Sequence, residues 1–114
     1  MNKQLKLALE KFNNREFFEC HDILEDYWFE CKHEEKDFYQ GILHYAVAFH
    51  HLNDKKNPSG AKLQFKKCIE RLSSYGNNYK GIDTLKISNT AKKNLALLNN
   101  NKPDQIKQVK IKVK

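Results

Sequence analysis

The chain is 114 residues long, 39% hydrophobic and 31% charged, which suits one domain with a single moderate core. No apolar run approaches the roughly 18 residues of a membrane span, and 11% aromatic content is far from the profile of disorder. The formal net charge is +7, yet only Arg15 and Arg71 are arginine, so the usual fork for phosphate and guanine is nearly absent.

The first helix is predicted over about 2–11, with Leu5, Ala8, Leu9 and Phe12 at helical spacing. Asn13-Asn14 breaks it and offers an N-cap to the next. The second helix runs from about Glu16 to Cys31. Phe17, His21, Leu24 and Trp28 form one stripe, flanked by Phe18 and Glu25, while Glu19, Asp22, Asp26 and Glu30 fill a solvated face. Lys32 and His33 mark a connection, and Glu34-Glu35 beside it read as solvated. The third helix spans about 34–52 and is apolar around most of its girth from Gly41 onward: Ile42, Leu43, Tyr45, Ala46, Val47, Ala48, Phe49. Such a helix belongs at the centre, with Gly41 where a neighbour comes close. Trp28 is expected to pack against it near Phe38.

Residues 53–57 form a polar turn, and Asn57-Pro58 caps and opens a fourth helix that ends near Ser74. Asp83 caps a fifth, reaching about Leu98. The chain from 101 to 114 is a lysine-rich tail in which Val109, Ile111 and Val113 alternate with lysine, a strand period with no strand elsewhere to pair with. It reads as a disordered segment or an edge arm on a helical domain over 1–100. The fold class is therefore all-α: one domain of about five helices around a central buried one.

Charge is uneven. Residues 1–40 hold 6 basic and 10 acidic side chains, net −4; residues 41–114 hold 15 and 4, net +11. The basic part is spread out and carries no aromatic-interleaved cluster, so a solvated lysine surface is favoured over nucleic acid as partner. A membrane partner is not expected, and a homo-oligomer stays open. Cys20, Cys31 and Cys68 are an odd number without paired spacing, which fits reduced thiols in a reducing compartment.

The unusual polar content is His21 and Glu25, four residues apart on or beside the apolar stripe. A carboxylate and an imidazole turned toward a core need partners. Each can serve the other, as a structural polar pair, or both can bind a divalent metal. Two ligands do not make a site. A third would come from the third helix, where His44 is best placed by level and His50 and His51 lie toward the start of the second helix. Trp28, Gln40 and Gly41 complete the candidate pocket. An enzyme built there would use metal-assisted hydrolysis, with Glu25 as ligand or general base and His21 as ligand or acid/base. Without a third ligand the chain is a helical binding or scaffold module. Cys20 neighbours His21 but points about 100° away on a helix, so it reads as a small packing residue.

The series Phe12-Asn13, Phe17-Phe18-Glu19-x-His21-x-x-x-Glu25-x-x-Trp28, Phe38-Tyr39-Gln40-Gly41-Ile42, Ala46, His50-His51, Asn57-Pro58-Ser59-Gly60-Ala61 and Gly81-Ile82-Asp83 resembles the family called domain of unknown function 309. That helical family of bacteria, archaea and plastids is defined by a His-x-x-x-Glu-x-x-Trp/Tyr motif. The resemblance covers roughly residues 8–90; the lysine-rich segments and longer lysine tail depart from it. It implies an all-α fold with one central helix, and a location in the cytoplasm, or in the plastid stroma if the chain is organelle-encoded. It implies no settled activity. The suggested metal role of the family's motif transfers to His21 and Glu25 alone.

Overall fold

The computed structural model describes residues 2–113. Five helices follow one another: α1 (Lys3–Asn13), α2 (Phe17–Glu30), α3 (Lys36–Asn53), α4 (Pro58–Leu72) and α5 (Thr84–Asn99). A 3-10 turn, His33–Glu35, leads into α3, and another, Pro103–Gln105, precedes the extended tail.

Three helix starts follow from their caps. Asn2 Oδ1 accepts from the Leu5 amide at 2.7 Å, Asn57 Oδ1 from Gly60 at 3.1 Å, and Asp83 Oδ1 from Lys86 at 2.9 Å. Each satisfies one of the amides that a first turn leaves without a partner. The α2 start differs from expectation. Glu16 holds the cap position and makes no side-chain bond to the helix, while Arg15 turns the chain with φ 65°. Asn13, expected to cap, faces the other way.

α3 lies at the centre, between α2 and α4. Phe38, Tyr39, Ile42 and Ala46 are fully buried, and Tyr45 and Phe49 nearly so. Side chains pointing several ways round the axis must all meet protein, so the helix is enclosed by the others. Phe12 stacks on Tyr45 at 5.4 Å between ring centroids, Phe17 on Phe49 at 5.7 Å, and Phe65 meets Phe49 edge-on at 5.5 Å. α1, α2 and α4 thus each deliver a phenylalanine to α3. Gly41 sets the α3–α4 approach: a Cβ there would stand 2.5 Å from Leu72 Cδ2.

Two connections depart from the sequence reading. Glu35, expected in solvent, is buried and pairs with Lys80 at 3.2 Å. The tail does find a strand partner: Ile82, within a tight turn closed by its exchange with Tyr79, bridges Val113 in antiparallel sense. The Asn13 amide donates to the Ile111 carbonyl at 2.9 Å and accepts from the Ile111 N–H at 2.8 Å. Gln108 Nε2 donates to the Phe12 carbonyl at 2.8 Å. An Asn side chain carries both a donor and an acceptor, so it copies a backbone partner and satisfies an extended segment that lies on helices. No helix among the described residues is long and apolar enough to cross a membrane.

Candidate functional site

α2 displays its polar residues along one flank. His21 Nε2 stands 3.0 Å from Glu25 Oε2, and its Nδ1 stands 3.3 Å from Asp22 Oδ1. The first contact follows from the four-residue spacing, one turn along the helix. The pair is not turned into the core. Half of the Glu25 side chain is in water, and His21 keeps 26% of its exposure. The sequence placed both on a core-facing stripe. Its inward edge is in fact Phe17, Cys20 and Leu24, and Glu25, one residue past Leu24, rotates outward with Asp22.

The candidate partners on α3 diverge. His44 turns toward α4, where its Nδ1 lies 2.7 Å from Gln64 Oε1. Burial chiefly lowers its pKa, with Lys67, Arg71 and His21 adding to the effect against the Gln64 bond. His50 Nδ1 pairs with Asp54 at 2.7 Å. His51 packs at the start of α4 beside Gly60, its Nδ1 buried without a protein partner. Gly41 serves packing against Leu72, and Gln40 is half-buried on α3.

His50 approaches the motif through Phe18. Phe18 lies between the two imidazoles, 6.1 Å from the His21 ring and 5.7 Å from that of His50. Beside it is a cavity of about 210 Å³, bounded by Phe17, Phe18, His21, Val47, His50 and Lys55. Among the described residues no three His, Cys, Asp or Glu side chains converge as metal ligands. Protein zinc sites use three or four donors; His21 and Glu25 supply two. Both ring nitrogens of His21 face carboxylates that are about half exposed.

Trp28, about one turn beyond Glu25 on α2, meets Lys36. Lys36 Nζ lies 4.5 Å from its ring centroid and donates to its carbonyl at 2.6 Å. The indole also meets Phe29 edge-on at 5.1 Å. Lys36 and Phe29 escaped sequence reasoning, although lysine eight residues after a tryptophan, across a tight connection, is a cation within reach of the ring.

What the sequence hid most is on the outside of α2. Phe18 is 53% exposed and Phe29 68% exposed. They share one helical stripe with Asp22 and Glu25, at steps of four, three and four residues. Glu19, Asp26 and Glu30 border that stripe, exposed, and form no ion pair among the described residues.

A family model described as a domain of unknown function, DUF309, matches residues 5–63. That segment holds most of α1, all of α2 and α3, the opening of α4 and the whole of the α2 stripe. An uncharacterised protein of Aquifex aeolicus (strain VF5) is 32% identical over 80 residues, 69% of this chain and 24% of that protein. The uncharacterised protein YpuF of Bacillus subtilis (strain 168) is 43% identical over 49 residues, 42% of this chain and 28% of YpuF. The chain spans about a quarter of the length of these relatives.

Proposed function

The chain belongs to the DUF309 family, and we propose that it is a non-enzymatic helical binding module whose contact surface is the outward stripe of α2. The observation that carries this reading is the pair of exposed phenylalanines, Phe18 and Phe29, bracketing Asp22 and Glu25. Isolated surface apolars need no explanation, but two large rings on one stripe, with carboxylates between and beside them, match a protein-contact surface. The complementary partner is a basic amphipathic segment: aliphatic anchors to meet the rings, lysine or arginine to meet the acids. His21 in this reading holds the Asp22 and Glu25 carboxylates in place between the rings.

The divalent-metal reading has less support, because His21 and Glu25 stand without a third donor. Metal-assisted hydrolysis has less still, since no step can be assigned to an imidazole with both nitrogens engaged.

Trp28 is the chain's single tryptophan and touches Phe29, so its emission reports on the stripe. The test titrates a synthetic leucine–lysine amphipathic helix into the protein and follows that emission. Saturable binding is expected, lost in the double variant Phe18→Ser, Phe29→Ser with its melting temperature kept, and weakened in Glu25→Lys. Undiminished binding by the double variant would overturn the proposal. A melting temperature raised by zinc, manganese or nickel in wild type but not in Glu25→Gln would favour the metal instead.

A further inference from the structure

Away from the α2 stripe, the tail does more than cover the core. Residues 109–113 run beside the first half of α5 and leave a cleft of about 330 Å³ between them. Its inner surface is mostly apolar, with Thr90 among the lining residues. Tyr45 and Ile87 form the floor, and Val109, Ile111 and Val113 line the tail side. Ile111 is buried, held by its two bonds to Asn13. Val109 and Val113, either side of it, remain 43% and 46% exposed. Their exposure has a specific place: both border the cleft.

The rim is cationic. Lys86 comes from the first turn of α5, and Lys110 and Lys112 from the tail. Among the described residues none of the three forms an ion pair. Asp83 is the one carboxylate on the rim among the described residues, and one of its oxygens, Oδ1, accepts from the Lys86 amide as the α5 cap. Three lysines that form no ion pair among the described residues thus border a largely apolar trough, against one carboxylate, Asp83.

We propose that this cleft binds an amphiphilic carboxylate: a medium-length acyl chain lying in the trough, with its carboxylate among Lys86, Lys110 and Lys112. The cavity is near the lower end of the roughly 300–1,000 Å³ of ordinary ligand sites, which favours a single short chain over a large or branched ligand. Burying the chain replaces water at Val109, Val113 and Ile87. The carboxylate gains charge-assisted hydrogen bonds that the lysines do not make within the protein. The site shares no residue with the α2 stripe, so its fate is independent of the function proposed above.

The test is calorimetric titration of the full chain with octanoate, octan-1-ol and acetate. Octanoate should bind at one saturable site, while octanol and acetate bind at least about tenfold more weakly, each lacking one of the two recognition elements. The double variant Lys110→Glu, Lys112→Glu changes only exposed side chains. It should weaken octanoate binding about tenfold or more while its melting temperature stays that of wild type. Val113→Asp should weaken octanoate binding as well. Equal binding of octanol, equal binding of acetate, or unchanged octanoate binding by the lysine variant would overturn the proposal. So would recruitment to phosphatidylglycerol vesicles with no competition from octanoate, which would assign the lysines to a membrane surface instead.

Discussion

Leu72 fills the space that a side chain on Gly41 would need. Its Cδ2 lies 2.5 Å and its Cγ 2.6 Å from where that Cβ would sit. Gly41→Ala gains about 1 kcal/mol of helix propensity and meets a leucine that is only 3% exposed and has little room to move. Overpacking costs about 1–3 kcal/mol, so a net loss of about 1 kcal/mol is expected. Leu72→Ala alone should cost about 2–4 kcal/mol. In the double variant the methyl group added at position 41 refills part of the hole, so the combined loss should be smaller than the sum. Urea unfolding of all four proteins measures the coupling, and additive losses would refute the contact.

The His21–Glu25 pair should matter little for folding. It is half in water, and exposed pairs four residues apart on a helix contribute about 0.3–0.5 kcal/mol. Glu25→Gln is therefore expected to lower the unfolding free energy by less than about 1 kcal/mol. A loss above about 2 kcal/mol would mean a desolvated pair.

Trp28 and Lys36 should behave as a unit. Lys36→Met removes the cation above the ring and the bond to the Trp28 carbonyl, at a cost of about 1 kcal/mol. It should shift the emission of the single tryptophan. Trp28→Ala should cost about 3 kcal/mol, the low end for a large aromatic, since the ring is only partly buried. An unchanged emission maximum in Lys36→Met would place the ammonium elsewhere.

Acid should destabilise the fold through histidine. Burial lowers the pKa of His44 and of His51 in the folded state. The unfolded chain therefore takes up protons first, from about pH 6.5 downward. In that window the unfolded state binds more protons, so stability falls as pH falls and levels off below the folded-state values. Melting temperatures from pH 8 to 5 should show this slope, and His44→Gln should flatten it. A wild-type curve flat through that range would contradict the burial of both rings.

The three thiols should separate by access. Burial pushes the Cys20 thiol up to about 12 and raises Cys68 as well. Cys31 is raised too, but it is only partly buried. With Ellman's reagent at pH 8, one thiol should react in the native protein and three after denaturation. Cys31→Ser should abolish the native reaction. Two or more native equivalents would show the core to be open.

Much of the architecture was legible because period and capping are local properties. The apolar girdle from Gly41 to Phe49 marked the central helix, and Asn57-Pro58 and Asp83 marked two starts. What was illegible depends on side chains meeting across distance. Asn13 looked like a helix cap, yet its amide serves Ile111, 98 residues later. The tail alternation was visible, but Ile82 as its partner was not, because a two-residue bridge leaves no strand pattern. At the candidate site, the four-residue spacing fixed the His21–Glu25 contact but not which way it faces. A rotation of one position separates Leu24, wholly buried, from Glu25, half in water. With Phe17 and Trp28 on one face and Phe18 and Phe29 on the next, about 100° away, both faces look apolar and the pattern does not say which one is buried.

The Asn13–Ile111 clasp also divides the molecule in time. The main helix contacts join elements consecutive in the chain, α1 to α2 and onward to α5, and such local assemblies form fast. The clasp closes a loop of nearly the whole chain, so its entropic cost is met most easily once the helices have already brought Asn13 and Ile82 into place. Releasing residues 106–113 uncovers Ile111 and breaks the Ile82–Val113 bridge, while the contacts between consecutive helices remain. The tail is thus expected to open apart from the helices: the Ile111 amide, bonded to Asn13, should exchange through tail release, and those of α3 only through global unfolding. The lifetime of the native fold and the lifetime of its closed tail are two separate clocks.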